Sequence, residues 1–150
     1  MSNADALPTR PFPPQHVSVG YHIVALSHTI TGKVAPNHAC PIRKLEGPWN
    51  IHQLTRLNVI IEDMAQNYGL NSNNPTVNAY DILAVQPTTE KLFQAACSTF
   101  EVDIISLDFS TRMPFYLKHT QVGQAIERGI YFEICYSAGI RGELMLDVGY

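Results

Sequence analysis

Between residues 80 and 141 the chain alternates apolar strand-like runs with amphipathic helix-like runs, three of the first kind and two of the second. Strands read this way at Tyr80–Gln86, Val102–Asp108 and Ile130–Tyr136. The middle one, VDIISLD, is almost continuously apolar, as suits a strand covered on both faces. The first helix is expected to start after Pro87, with Thr88 or Thr89 as N-cap and Glu90 in the first turn, where the positive end of the helix dipole favours a carboxylate. Its inward face would carry Leu92, Phe93, Ala96 and Phe100, leaving Lys91, Gln94 and Ser98 outside. The second helix is expected from about Thr120 to Arg128, with Val122, Ala125 and Ile126 inward and Gly129 as a left-handed C-cap. Strands alternating with helices are the grammar of a parallel α/β sheet or barrel.

Upstream the pattern is thinner. Tyr21–Ser27 (YHIVALS) and Gln53–Glu62 (QLTRLNVIIE) read as two more strands, separated by a long Gly- and Pro-punctuated loop from His28 to about Asn50. A loop of that length in a compact domain predicts a binding loop or a poorly ordered insert. The polar, Asn-rich tract from Gln66 to Asn78 leaves room for at most a short helical turn. Residues 1–19, with Pro8, Pro11, Pro13 and Pro14, predict a flexible lead-in, residues 20–141 a single α/β domain, and residues 142–150 a short tail.

Composition supports a globular reading: 150 residues, 45% hydrophobic and 15% charged, suffice for one domain with a real core. No run approaches the roughly 18 apolar residues of a membrane span, and no secretory signal heads the chain, so no membrane partner and an intracellular, soluble protein are expected. Cys40, Cys97 and Cys135 are widely spaced and lack a CxxC pair, which predicts buried free thiols instead of disulfides or zinc ligands. A net charge of −3 and a pI near 6.0 lack the basic excess of an autonomous nucleic-acid binder. The basic bias is local: residues 112–142 carry Arg112, Lys118, Arg128 and Arg141 against Glu127 and Glu133.

Chemistry on a β/α scaffold belongs at the C-terminal ends of the strands, here His28, Glu62, Asp63, Gln86, Asp108, Tyr136 and Ser137. His28, Glu62, Asp63 and Asp108 make a conceivable metal set, but HxH, HExxH and DxD spacings are absent, and capping roles for loop acids are favoured. The GxSxG elbow, the P-loop and the GxGxxG fingerprint are also missing from the sequence. Glu133 and Arg56 sit inside apolar strands, so each must find an opposite charge, with Asp103 a candidate third member. Arg112 precedes Met113-Pro114-Phe115-Tyr116, a cation beside aromatics that suits RNA contact with base stacking or, equally, packing of the rings over a helix.

The wording of three segments, DILAVQPTTEKLFQAAC, DIISLDFSTRMPFYLK and AIERGIYFEICYS, resembles the thirty-kilodalton protein subunit family of eukaryotic and archaeal ribonuclease P. Shared residues include Thr55-Arg56-Leu57, Asp81, Thr89-Glu90-Lys91, Asp103, Arg112, Pro114-Phe115, Lys118, Arg128-Gly129 and Phe132-Glu133. The resemblance implies a TIM-like (β/α) barrel with parallel strands, of which about five of eight units are present. It implies a non-catalytic subunit of the ribonuclease P and RNase MRP ribonucleoproteins, in 5′-end maturation of precursor tRNA and in rRNA processing, located in the nucleus and nucleolus. No protein active site is expected: the particle's RNA is the catalyst, and magnesium enters through that RNA, with no cofactor or metal held by the protein. The implied partners are that RNA, a small RRM-like protein subunit and other particle subunits. Arg56, Lys91, Arg112, Lys118 and Arg141 become candidate RNA or partner contacts. A Pro-rich lead-in stands where the family has an acidic strand and a helix, and Ala138-Gly139 departs from its YSPAIR-like pattern. Two rivals remain: a metal-dependent phosphoesterase of the polymerase-and-histidinol-phosphatase type, and a protein-interaction fragment without RNA contact.

Overall fold

A computed structural model describes residues 20–35, 39–47, 50–65, 70, 73–110 and 112–135. The expected lead-in, the positions Tyr136, Ser137 and Arg141, and the tail at 142–150 lie outside these residues. Five strands form one sheet in the order β1 (Ile23–Thr31), β2 (His52–Ile61), β3 (Ile82–Pro87), β4 (Ile104–Leu107) and β5 (Tyr131–Ile134). Every neighbouring pair is parallel. The helices α1 (Pro75–Asn78), α2 (Glu90–Ser98) and α3 (His119–Glu127) fall between β2 and β3, β3 and β4, and β4 and β5. Sequential parallel strands with intervening helices are the arrangement of a partial TIM-like barrel.

Local chemistry explains most boundaries. Thr89 caps α2 by accepting the Leu92 N–H at 3.3 Å, with Glu90 in the first turn as expected. Asn74 caps the four-residue α1 by accepting the Thr76 N–H at 2.9 Å. Gly129, with φ +76°, ends α3 in a backbone region that disfavours side chains. The first strand corrects the sequence reading: β1 continues to Thr31, four residues into the expected loop, because its ladder with β2 persists to the Thr31–Ile60 pair. Gly32, φ +84°, closes it, and its N–H donates to the Ile60 carbonyl at 3.0 Å. Part of the remaining loop is tied down, since the Gln53 amide donates to and accepts from the Leu45 backbone at 2.7 and 2.8 Å.

Strand alternation sorts the sheet into two faces. Leu57, Val59, Ile61, Leu83, Val85, Ile105 and Leu107 are buried on the face that carries the helices, and Leu92, Phe93, Ala96 and Cys97 of α2 pack onto them. The face of α3 departs from expectation. Ala125 is buried and Val122 half-buried, but Gln121 takes the remaining inward position while Ile126 is 62% exposed. The cysteines also divide: all three are free, yet only Cys97 is buried, and burial pushes its thiol up to about 11.

The start of two strands is fastened by the same device. Asp81, just before β3, accepts from the Thr55 backbone N–H at 2.7 Å and from its hydroxyl at 3.0 Å on β2. Asp103, just before β4, accepts from the Leu83 N–H at 2.8 Å on β3. In each case a carboxylate satisfies a backbone donor of the preceding strand at the edge of the ladder, where it would otherwise lack a partner.

Candidate nucleic-acid interface

The face of the sheet opposite the helices carries Arg56 on β2, Ser106 on β4 and Glu133 on β5, since Ser106 and Glu133 are register partners. The Arg56 guanidinium donates from both terminal nitrogens to both Glu133 oxygens, at 2.6 and 2.5 Å. Two strands lie between them. On a flat sheet three strand spacings are about 14 Å, too far for side chains standing upright to meet. The contact therefore requires the sheet to curl with these residues on its concave side. Arg56 is thus committed to an internal pair, the opposite charge that its sequence setting demanded. Asp103 is not a third member; it is occupied with Leu83.

This bidentate pair tunes both groups. Hydrogen bonding from Arg56 holds the Glu133 carboxyl below the usual carboxylate range, against a smaller opposing effect of burial. The same bond raises the Arg56 guanidinium further above its ordinary value. Beside them the Ser106 hydroxyl lies 3.0 Å from the Cys135 sulfur.

The other candidates gather at the C-terminal ends of the strands. Parallel topology brings every strand-to-helix loop to that end. Lys91 sits in the first turn of α2, Arg112 in the loop from β4 to α3, and Lys118 at the N-cap of α3. All three are exposed. Lys118 bridges to Glu90 at 2.5 Å and so ties the start of α3 to the start of α2. Arg141 lies outside the described residues.

The aromatic loop divides the two roles that the sequence left open. Phe115 is buried, with its ring centroid 5.4 Å from Phe93 of α2. Its neighbour Tyr116 is 83% exposed. One ring anchors the loop and the next faces outward, between the exposed cations Arg112 and Lys118. Arg128, another basic residue of this region, serves the fold instead. Its guanidinium donates to the carbonyls of Cys97 at 3.0 Å and Phe100 at 2.7 Å, closing the C-terminal end of α2. The Arg128 fork and the Asp81 and Asp103 fasteners escaped the sequence reading. The repeated Asp-Ile-Leu and Asp-Ile-Ile at strand starts was the one available signal for the fasteners.

At the strand ends the Gln86 amide reaches Asp108 at 3.5 Å, and Asp108 also accepts from the Ser110 N–H at 2.8 Å, the capping role favoured for a loop acid. His28 alternates onto the helix-bearing side with Leu57, its register partner, and so away from the Arg56 face. Among the described residues no group of three or more His, Cys, Asp or Glu is placed to hold a metal ion.

Comparison with known proteins follows the same lines. The family model for RNase P subunit p30 matches residues 14–145. A probable ribonuclease P protein subunit 3 from Schizosaccharomyces pombe is 40% identical over 124 residues, covering 82% of this chain and 52% of that protein. Ribonuclease P protein subunit p30 of Mus musculus is 34% identical over 144 residues, covering 85% of this chain and 52% of its own. The ribonuclease P/MRP protein subunit RPP1 of Saccharomyces cerevisiae is 28% identical over 87 residues, covering 58% and 29%. The chain therefore spans about half, or less, of the length of these curated relatives. With a match across most of its length, on a parallel β/α arc, this chain belongs to the RNase P subunit p30 family.

Proposed function

We propose that the chain acts as a non-catalytic protein component of ribonuclease P and RNase MRP, supporting precursor-tRNA maturation and rRNA processing in the nucleus and nucleolus. The observation that carries this reading is the family match over residues 14–145, and relatives named as ribonuclease P or P/MRP subunits support it. In this reading Lys91, Arg112 and Lys118 neutralise phosphates of the particle's RNA or meet a protein partner such as a small RRM-like subunit. Lys91, Arg112 and Lys118 share that end with Glu62, Asp63, Glu90 and Asp108, so such contact rests on individual exposed side chains meeting phosphates and not on a net positive field. The chemistry would belong to RNA-bound magnesium, so no nucleophile or metal ligand is asked of the protein. The family match does not favour the phosphoesterase alternative.

The test is reconstitution of the particle with the chain carrying Arg112→Ala and Lys118→Ala together. Both side chains are exposed, and the Lys118–Glu90 bridge between solvated partners contributes no more than about 1 kcal/mol, so folding should survive. Assembly or pre-tRNA cleavage should fall at near-physiological salt, where binding is no longer saturated. Unchanged cleavage under those conditions removes both residues from the interface.

A further inference from the structure

We infer that the loop from Arg112 to Lys118 binds single-stranded RNA, with Tyr116 as a stacking platform for an unpaired base and Arg112 and Lys118 on the flanking phosphates. This rests on the proposed ribonucleoprotein role and goes beyond it by naming the form of nucleic acid and the residue that recognises it.

Three observations carry the inference. Tyr116 exposes 83% of its surface, whereas the adjacent Phe115 is 9% exposed against Phe93 of α2. An outward ring next to a ring fixed in the core is held in place without being covered, which lowers the ordering cost of a stacking contact. The loop Arg112-Met113-Pro114-Phe115-Tyr116-Leu117-Lys118 contains two cations and no acid. Arg112 is exposed and has no hydrogen bond or ion pair among the described residues. Lys118 keeps 61% of its side chain exposed despite its bridge to Glu90, and an ammonium has three donors to share.

Charge decides between RNA and a protein surface. A protein hot spot buries its aromatic in an apolar pocket inside a desolvated ring, whereas here Tyr116 and its 40% exposed neighbour Leu117 are flanked in sequence by the exposed cations Arg112 and Lys118. Cations alternating with an exposed ring are the elements of single-strand recognition, since every base offers a π-face and every nucleotide a phosphate. Base-paired RNA hides its base faces, so a duplex would use the cations and leave the ring idle.

The experiment measures binding of the full chain, at low salt, to an oligouridylate of about twelve nucleotides and to an RNA duplex of equal charge. Tyr116→Ala should weaken oligouridylate binding roughly tenfold and leave duplex binding unchanged, while Tyr116→Phe retains the wild-type affinity. Tyr131→Ala, which removes another highly exposed ring (75%) on β5, should have no effect. Arg112→Ala with Lys118→Ala should weaken both ligands and flatten the salt dependence. Wild-type affinity for oligouridylate in Tyr116→Ala, or equal losses on both RNAs, overturns stacking while leaving the RNA role intact if the cation variant still loses binding. Loss in Tyr116→Ala of association with a protein subunit, with RNA binding kept, overturns the inference in favour of a protein site. If neither RNA binds the wild-type chain, the inference and direct RNA contact by this loop both fall.

Discussion

The Arg56 guanidinium on β2 meets the Glu133 carboxylate on β5 through two parallel hydrogen bonds of 2.6 and 2.5 Å, reaching past β3 and β4. The pair links the second strand to the fifth from the concave side, and so records the curvature of the sheet in a single contact. Its neighbours on that side include Ser106 and Cys135, so the inner surface is polar at this level, unlike the branched apolar filling usual in barrels of this kind.

Breaking the pair from either end should destabilise the chain by about 2 kcal/mol, between the values for exposed and fully buried ion pairs. The discount is needed because Glu133 remains 35% exposed, whereas Arg56 is 13% exposed. Leaving the more buried cation alone costs more, so Glu133→Ala should be the more damaging change than Arg56→Met, which keeps the apolar stem. The double variant should be less unstable than the sum of the singles. Urea midpoints of the four proteins measure this, and strict additivity would show that the pair is not coupled.

Acid should weaken the fold through Glu133 and Asp81. Both carboxyls are held below their ordinary range, Glu133 mainly by the Arg56 hydrogen bond and Asp81 mainly by the Thr55 backbone N–H. A folded-state pKa below the unfolded one binds fewer protons, so the stabilisation is complete above about pH 5 and is lost as pH falls through the folded values. Denaturation midpoints should therefore be flat near neutrality and drop on acidification. Asp81→Asn should make that drop shallower while leaving the fold intact at pH 7, because an amide oxygen can still accept from Thr55. An unaltered acid limb in Asp81→Asn would place the titration elsewhere.

Phe115 and Tyr116 are adjacent in sequence and opposite in consequence. Phe115→Ala removes a ring packed on Phe93 and should cost about 3 kcal/mol of stability, with faster amide exchange in the 112–118 loop. Tyr116→Ala should shift stability by no more than about 0.5 kcal/mol, because its ring is 83% exposed. Thermal melts with hydrogen exchange on the two variants separate the anchor from the exposed platform, and equal destabilisation would show that both rings are packed.

The order of strands and helices was legible in the sequence because period and capping are local properties. VDIISLD, the Thr89 cap with Glu90 behind it, the Leu92–Phe93–Ala96 stripe and Gly129 each state their structure within one or two turns of chain. The demand of Arg56 and Glu133 for opposite charges was equally plain, since an apolar strand cannot hold a lone ion. That they would meet past two intervening strands and without Asp103 was not, because positions 77 apart in sequence are brought together only by the curl of the sheet. The extension of β1 to Thr31, the exposure of Ile126 and the burial of Gln121 were likewise decided by which neighbour each residue met. The same holds at the loop: the chain dictates a cation beside two rings, but only packing against Phe93 determines that Phe115 turns inward and Tyr116 outward. Local pattern specifies elements, because backbone and side-chain preferences act over a few residues. Partners and exposure are set by long-range packing, which one-dimensional order does not encode position by position.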